Sequence, residues 1–339
     1  MRTLNELFIE ITNRCMQKCV HCSSGASCKG YDEISFIDIK KLVDDTIPMG
    51  LSRVTLSGGE PFLHPEFMAI IQYLYWKEIT VSVYTCGVYA GRGSIIASIP
   101  DDVFIRMSEN NVKRLIFSLH AATEATFEKI SGISGSFNLV MKSIEAAIKY
   151  GFDVELHVVP MLLNFDELEK ILQIADNIGV KQVSFLRFVP QGRGACNNNL
   201  LNLGPKENKL LQDSVENWKV TYSDIHIRLG VPYNCLTFSG KRCTAGHDKL
   251  LINASGEVFP CEAFKYMKGM RPSIYDTDVA DIWNNDALLN ELRNMDIARI
   301  AVCAECEYSK LCAGGCPGQR KRSLGSFYEG PDPLCLKMC

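Results

Sequence analysis

The spacing of the cysteines constrains what this 339-residue chain can form more than any other feature. An N-terminal group near the start of the chain consists of Cys15, Cys19 and Cys22. A C-terminal group near its end consists of Cys303, Cys306, Cys312 and Cys316. Three thiolates can hold three irons of a cubic iron–sulfur cluster and leave the fourth iron open, whereas a richer set can build closed clusters. The sequence therefore predicts one reactive centre and a separate region of closed centres.

Composition and charge exclude several classes of protein. Hydrophobic residues make up 47% of the chain and charged residues 22%, as in ordinary globular proteins. The net charge of −3 gives no electrostatic reason to expect a nucleic-acid partner, and the basic run 320–322 is predicted to be a solvated turn. No apolar run approaches the ~18 residues that span a bilayer, so we expect no membrane partner.

The cellular setting also follows from the sequence. The first residues lack the basic and then apolar pattern of a secretion signal. An odd number of cysteines, fifteen, favours metal or redox chemistry over a disulfide framework. We therefore expect a cytoplasmic protein in a reducing, anaerobic cell.

Short apolar runs alternate with helical patterns up to about residue 190. The predicted strands are 7–12, 53–56, 80–84, 114–119, 154–159 and 182–188. The predicted helices are 36–47, 65–75, 124–130, 137–149 and 165–178. Such alternation predicts parallel strands with outer helices, and six units are too few to close an eight-stranded barrel. We predict an α/β fold, an open partial (β/α)6 barrel, with its site at the carboxyl ends of the strands.

The pattern changes after the sixth strand. Residues 190–205 are rich in glycine and asparagine and are predicted to form a loop. Weak apolar periodicity with dense cysteines from about residue 231 is typical of a segment folded around metal. The elements predicted there are a helix at 206–218, a β-hairpin of 250–253 and 257–260, and a helix at 281–293 interrupted near 284–285. The predicted domains are a core of 1–205, a linker with a helix at 206–230 and a cysteine-rich domain of 231–339.

Two N-terminal motifs together resemble those of a known family. Residues 15–22 carry the CxxxCxxC spacing of radical S-adenosylmethionine (SAM) enzymes, with His21 where that family usually has an aromatic residue. A zinc site is the alternative for the cysteines alone, although structural zinc prefers four protein ligands. Residues 58–61 are similar to the family's GGEP motif and follow the second strand. With both motifs, the chain is identified as a member of the radical SAM superfamily.

The resemblance implies a mechanism and a set of cofactor contacts. In this family SAM chelates the open iron, and reductive cleavage of SAM leaves a 5′-deoxyadenosyl radical that takes hydrogen from an unactivated C–H bond. The implied SAM-binding residues are Gly58, Gly59, Glu60 and Ser118. An equal alternative is that Ser118 is a buried structural serine whose hydroxyl forms a hydrogen bond with the backbone. Cys86 stands where many members carry the asparagine of a Thr-Asn-Gly motif.

The C-terminal third resembles the SPASM domain, which carries auxiliary [4Fe–4S] clusters. By that resemblance the first auxiliary cluster is held by Cys243, Cys261 and Cys316, with Cys235 as the fourth ligand. The second is held by Cys303, Cys306, Cys312 and Cys335. The expected cofactors are therefore SAM and three [4Fe–4S] clusters, one of which binds SAM. Two interleaved zinc-ribbon sites are the alternative.

Four cysteines remain without a ligand role: Cys28, Cys86, Cys196 and Cys339. A spare cysteine is usually a small core residue, but some peptide-modifying relatives use one to return a hydrogen atom to a substrate radical. Cys86 and Cys196 are the candidates for that role. Glu262 follows Cys261 directly, where sulfatase-maturating relatives carry an acidic general base. An exposed glutamate at the end of the hairpin is the alternative for Glu262.

The leading hypothesis is a radical SAM/SPASM enzyme that modifies a ribosomally made peptide by a thioether or C–C crosslink or by epimerisation. The alternatives are oxidation of a protein side chain to formylglycine, dehydrogenation of a small molecule, and a non-catalytic iron–sulfur or zinc carrier or scaffold. The expected partners are a peptide or protein substrate and an electron donor of the flavodoxin or ferredoxin type. Many peptide maturases carry an N-terminal recognition domain, but the first strand here is predicted to begin near residue 7. Recognition of a leader peptide would then need a separate protein or a different surface.

Overall fold

The fold is built on one long sheet. A computed structural model describes residues 2–90 and 95–335. In this part of the chain nine strands form the sheet: β1 (Glu6–Thr12), β2 (Arg53–Gly58), β3 (Thr80–Thr85), β6 (Val112–Ser118), β7 (Asp153–Val158), β8 (Gln182–Phe185), β9 (His226–Leu229), β10 (Lys249–Ile252) and β11 (Val258–Phe259). A separate two-stranded sheet pairs β4 (Tyr89–Ala90) with β5 (Ile96–Ala97).

The strand order explains how the two ends of the chain meet. The order is β11-β10-β1-β2-β3-β6-β7-β8-β9, and all neighbours are parallel except β10 and β11. The predicted hairpin is confirmed, and its strand β10 also pairs with β1, from Glu6↔Lys249 to Ile9↔Ile252. The cysteine-rich third of the chain is therefore joined to the barrel by backbone hydrogen bonds.

The helices cover the sheet and then become short. Those of the barrel region are α1 (Phe36–Thr46), α2 (Phe67–Trp76), α3 (Asp101–Glu109), α4 (Glu124–Ser131), α5 (Ser136–Lys149) and α6 (Leu168–Asn177). The later ones are α7 (Arg193–Cys196), α8 (Asn198–Leu201), α9 (Pro205–Thr221), α10 (Asn234–Thr237), α11 (Val279–Asn285), α12 (Ala287–Arg293), α13 (Ala301–Ala304), α14 (Ser309–Cys312) and α15 (Pro317–Leu324). No helix in the described ranges is long and apolar enough to pass through a bilayer.

The alternation of side chains along the strands separates a core from a lumen. In β1, Leu7, Ile9 and Ile11 are fully buried. The opposite face carries Phe8, which meets Tyr84 of β3 at 5.2 Å between ring centroids, and Glu10. Successive residues of a strand point to opposite faces, so one face packs on the helices and the other lines the inside of the partial barrel.

The α/β fold with a partial barrel is confirmed, and all six predicted strands are present. Three details were not predicted correctly. Residues 190–205 contain the one-turn helices α7 and α8 as well as loop, and β9 and α3 were not predicted. The basic run 320–322 is part of α15, where Arg320 is fully buried instead of solvated. The interrupted helix is confirmed, since Asp286 ends α11 and caps α12 with its side chain.

Candidate functional site

The N-terminal cysteines lie on the loop that leaves the carboxyl end of β1. Cys15 is buried, and Cys19 and Cys22 are partly buried. Burial raises the pKa of the Cys19 thiol well above its usual value, and the nearby thiols of Cys15 and Cys22 raise it further, while Arg193 lowers it. The three sulfurs are therefore close enough to repel one another as thiolates, and a bound cation or cluster would relieve that repulsion.

The donor set suits a cluster. Among the described residues, no group of three or more His, Cys, Asp or Glu side chains has the geometry to hold a single metal ion. Thiolates of a [4Fe–4S] cluster bind different irons, so their sulfurs lie farther apart than the ligands of one ion. Soft thiolate ligands also favour iron–sulfur chemistry. The grouped thiols thus suit a polynuclear cluster, in which each thiolate binds a different iron.

The glycine turn after β2 packs directly on the cysteine loop. The N–H of Gly59 donates to the carbonyl of Thr12, and the N–H of Glu60 donates to that of Arg14, both at 2.7 Å. A Cβ added at Gly59 would lie 2.0 Å from the carbonyl oxygen of Arg14, and one at Gly58 would lie 2.2 Å from that of Thr12. Only glycine allows this approach, which fixes the turn beside Cys15.

Glu60 is fully buried and joins the ends of β2 and β3. Its carboxylate accepts hydrogen bonds from the hydroxyl of Thr85 at 2.9 Å and from the N–H of Cys86 at 2.7 Å. Burial raises the pKa of Glu60 to about 7, against the lowering effect of these hydrogen bonds. Glu60 thus positions the segment at the end of β3 as well as offering a carboxylate near the cysteines.

Arg193 holds the cysteine loop and was not predicted from the sequence. Its Nε donates to the carbonyl of Cys19 at 2.8 Å, and its Nη1 donates to that of Ala26 at 2.6 Å. Its backbone N–H donates to the carbonyl of Cys22 at 3.0 Å. The preceding Gly192 has φ +52, and a Cβ there would lie 2.5 Å from the Cys22 carbonyl. The glycine before an arginine, just after the sixth strand, is the only signal that the sequence offered.

The spare cysteines have different surroundings. Cys86 is buried, and a hydrogen bond with Cys15 is the first cause of its raised pKa, followed by burial. Cys28 and Cys196 are exposed, and Cys339 lies outside the described residues. Ser118 is partly buried at the end of β6. Of the two candidate hydrogen-atom donors, Cys86 is therefore the one that lies beside an N-terminal cysteine.

A buried lysine connects the mouth of the barrel with the C-terminal region. The Nζ of Lys265 donates to Glu10 of β1 at 2.5 Å, to the hydroxyl of Ser24 at 2.7 Å and to Glu262 at 2.8 Å. The side chain of Glu262 is 40% exposed, so it is neither buried nor a free surface carboxylate. Burial raises the pKa of Glu262, while the charge of Lys265 lowers it. The ion pair with Lys265 therefore holds the carboxylate of Glu262 close to Glu10, at the entrance of the barrel lumen.

Histidines line the inner face of the barrel. The rings of His21 and His120 meet edge to face at 4.2 Å between centroids. Burial lowers the pKa of His21 to about 4 and that of His120 well below its usual value. His157 bonds Glu155 through Nε2 at 2.8 Å, and burial lowers its pKa too. Burial therefore favours the uncharged form of all three imidazoles.

The C-terminal cysteines fall into two groups by the thiols that influence each other. After burial, the main causes that raise the pKa of Cys261 are the thiols of Cys243 and Cys316. In the second group, burial is the main cause that raises the pKa of Cys303, and the thiols of Cys335 and Cys306 raise it further. Cys335 and Cys303 likewise act on Cys312, where burial raises the pKa to about 11.

The buried Cys235 lies among thiols of the second group. Its pKa is raised by burial first, and the cysteines that add to the effect are Cys312 and Cys335. Its helix α10 also leads into a turn in which the N–H of Gly240 donates to the carbonyl of Leu311 at 3.0 Å. Cys235 is therefore influenced by thiols of the second group, whereas the resemblance assigned it to the first cluster.

Comparisons with known proteins agree with this arrangement. The model of the radical SAM superfamily matches residues 9–178, and that of the SPASM iron–sulfur cluster-binding domain matches residues 243–307. Mycofactocin maturase MftC of Mycolicibacterium smegmatis is 27% identical over 97% of this chain and 81% of its own length. AdoMet-dependent heme synthase of Methanosarcina barkeri is 24% identical over 96% of this chain and 95% of its own length.

A solved structure has the same fold. Streptococcus suis SuiB bound to its precursor peptide SuiA superposes with a TM-score of 0.79 at 15% identity, over 99% of this chain and 76% of SuiB. The superfamily match covers half of the chain and includes both the cysteine loop and the glycine turn. The chain belongs to the radical SAM superfamily and carries a SPASM iron–sulfur cluster-binding domain after its barrel.

Proposed function

We propose that this enzyme uses a SAM-binding [4Fe–4S] cluster and two auxiliary [4Fe–4S] clusters to modify a ribosomally made peptide. The observation that carries the proposal is the glycine turn packed on the loop of Cys15, Cys19 and Cys22, with a separate set of free cysteines in the C-terminal region. A bound cluster of this kind supplies the electron that cleaves SAM to a 5′-deoxyadenosyl radical.

The residues of the barrel would bind and orient the cofactors. Cys15, Cys19 and Cys22 would hold the first cluster, and Arg193 would fix the carbonyls of their loop. Glu60 would present its carboxylate to the amino group of SAM while its hydrogen bonds hold the end of β3. The remaining proposed SAM contacts are Gly58, Gly59 and Ser118. The short distance from Gly59 to Arg14 supports a turn that brings backbone groups close to SAM.

The C-terminal cysteines would hold the auxiliary clusters as the resemblance implies. Cys243, Cys261 and Cys316 would bind the first, and Cys303, Cys306, Cys312 and Cys335 the second. Cys235 would be either the fourth ligand of the first cluster or a buried thiol beside the second, because the thiols that act on its pKa are those of Cys312 and Cys335. Iron content and cluster spectra of Cys235→Ala, compared with those of Cys303→Ala, separate the two.

A peptide is the substrate class that the relatives favour. The mycofactocin maturase and the SuiB structure with a bound precursor peptide both support it. In this chain, Glu262 at the lumen entrance would take the proton released from the substrate, and Lys265 would hold that carboxylate in place. An electron-transfer protein of the flavodoxin or ferredoxin type would supply electrons, and a separate protein or another surface would bind a leader peptide. A cytoplasmic setting completes the proposal.

Heme synthesis is the second candidate, because the heme synthase of Methanosarcina barkeri is almost as similar as the peptide maturase. A heme precursor would enter the same lumen, whose neutral histidines could contact it.

The test uses the anaerobically reconstituted full-length protein with SAM and dithionite. About twelve irons per chain and formation of 5′-deoxyadenosine are expected. Peptides encoded beside its gene and a heme precursor are then compared as substrates. A loss of two hydrogens from a peptide indicates a crosslink, and deuterium uptake from solvent without a change of hydrogen count indicates epimerisation. Conversion of the heme precursor alone would contradict the peptide proposal, and absence of SAM cleavage would contradict radical chemistry altogether.

A further inference from the structure

Arg320 is a cation buried beside the C-terminal cysteines. It is fully buried in α15, and no carboxylate within the described residues forms an ion pair with it. Its Nη1 donates to the carbonyl of Gly314 at 2.8 Å, its Nη2 meets the sulfur of Met295 at 2.8 Å, and its Nε has no partner. An unpaired buried charge costs several kcal/mol, so an anion is expected beside it.

The guanidinium lies against the segment that joins the two cysteine groups. Gly314 stands between Cys312 and Cys316, and a Cβ on it would lie 2.3 Å from Nη1 of Arg320. The N–H of Arg320 also donates to the carbonyl of Cys316 at 3.1 Å. The thiol of Cys303 and the carboxylate of Asp332 also lie near enough to act on the charge of Arg320.

The second buried arginine of this region is compensated. Arg187 pairs with Asp332 at 2.7 Å, and the same carboxylate accepts the N–H of Cys316 at 2.6 Å. The charge of Arg187 is therefore paired directly with Asp332, whereas Asp332 acts on Arg320 without forming an ion pair with it. A cation next to a cluster stabilises the more negative, reduced form of that cluster.

We propose that Arg320 compensates the charge of the second auxiliary cluster, held by Cys303, Cys306, Cys312 and Cys335, and donates a hydrogen bond to it through Nε. This inference rests on the auxiliary clusters of the proposed function. Its consequence is that the second auxiliary cluster is easier to reduce than it would be with a neutral residue at position 320. Arg320 thus acts as a positioning residue that sets the reduction potential of this cluster.

The experiment measures cluster potentials, independently of any substrate. The reconstituted wild type, Arg320→Gln and Arg320→Lys are titrated with dithionite under electron paramagnetic resonance, and iron is counted in each. In Arg320→Gln, one auxiliary signal should shift to a more negative potential while the other two signals stay unchanged. In Arg320→Lys the potential of the same signal should shift in the same direction but by a smaller amount, because lysine keeps the positive charge and lacks the Nε donor. Arg322→Gln, on the same helix, is the matched control and should titrate as the wild type.

The outcomes separate this inference from the function on which it rests. About four irons in the wild type would overturn the auxiliary clusters themselves. A full iron content in Arg320→Gln with wild-type potentials would overturn the role of Arg320. If Arg320→Gln does not fold, Arg320→Lys decides, since a negative shift supports the role and an unchanged potential overturns it.

Discussion

The two cysteine-bearing regions are supported in different ways. The N-terminal loop is held by the rest of the protein: the N–H groups of Cys15, Lys18 and Val20 donate to backbone carbonyls at 3.0, 2.8 and 2.9 Å. The C-terminal region has helices of only four residues around its ligands, such as α13 and α14, and it buries Arg320 without a carboxylate. Backbone hydrogen bonds thus hold the N-terminal loop, whereas the C-terminal region combines a small hydrophobic cluster with short helices around its cysteines.

The difference fits the chemistry proposed for each region. A site that must bind SAM at an open iron needs a preorganised loop, because misplacement of a reacting group is costly. Closed clusters need no open position, so the metal itself can provide much of the folding free energy. Even so, the hairpin strand β10 pairs with β1, which anchors one side of the auxiliary region to the barrel.

Removal of iron should have the largest effect and should be confined to one region. Structural metals contribute on the order of 10 kcal/mol to small domains. After anaerobic chelation we therefore expect residues 262–335 to lose protection from hydrogen exchange, while β1 to β3 and the paired strand β10 keep theirs. Hydrogen exchange with mass spectrometry measures this directly. Equal loss of protection in both regions would contradict the expectation that iron stabilises the C-terminal region more than the barrel strands.

Single cysteine substitutions should separate the two regions by function. Cys19→Ala should reduce 5′-deoxyadenosine formation to background and remove about four irons, because the SAM-binding cluster loses a ligand. Cys306→Ala should lose a similar amount of iron but keep substrate-free SAM cleavage. Cys28→Ser, an exposed cysteine, is the control. Loss of SAM cleavage in Cys306→Ala would show that the auxiliary region also maintains the reactive site.

The same contrast explains what the sequence could predict. Apolar periodicity gave the six barrel strands because each is continuous and buried. It did not give β9, a short edge strand of mixed polarity, or the pairing of β10 with β1, which depends on distant residues. The spacing of the cysteines, together with the family resemblance, predicted which cysteines are cluster ligands, because closely spaced thiols in a reducing cell are typical of metal sites.

Arginines that support the site escaped prediction. Arg193 binds backbone carbonyls, and any sequence offers carbonyls, so no motif accompanies it. Arg320 lies in a basic run that is typical of a solvated surface, and burial beside the ligands depends on tertiary packing. Charge patterns along a chain therefore locate cations but do not tell which of them are buried.

Arg193→Ala should test whether protein contacts alone shape the cysteine loop. Loss of its two guanidinium hydrogen bonds leaves carbonyls of Cys19 and Ala26 unsatisfied, at a cost of about 3 kcal/mol. Urea unfolding of the iron-free protein measures this effect without any contribution from a cluster. Arg53→Ala, which breaks an exposed pair with Glu6 at 3.6 Å, should cost less than about 1 kcal/mol. Equal effects of the two substitutions would contradict a special role of Arg193.

Acid should weaken the barrel lumen through Glu155, the smallest of these effects. Burial raises the pKa of Glu155, but hydrogen bonds from His157 and Ser184 and the charge of Arg228 lower it to about 2, from an ordinary 4.5. Its contribution to stability is thus complete above about pH 4.5 and lost as the pH falls toward 2. His157 also lowers stability in acid. Burial lowers its pKa in the folded protein from an ordinary 6.5, so protonation below pH 6.5 favours the unfolded chain.

Glu155→Gln should therefore cost about 2 kcal/mol at pH 7 and should flatten the loss of stability between pH 4.5 and pH 2. Urea unfolding followed by circular dichroism across this pH range measures both effects. Arg114 and Arg228 also face this carboxylate, at 3.5 and 3.4 Å, and each would lose a negative partner in the variant. Because none of these side chains is a proposed cluster ligand, the effect should be similar with and without iron. A pH dependence that changes on chelation would mean that the lumen and the auxiliary region are coupled, and that the separation between the two regions is incomplete.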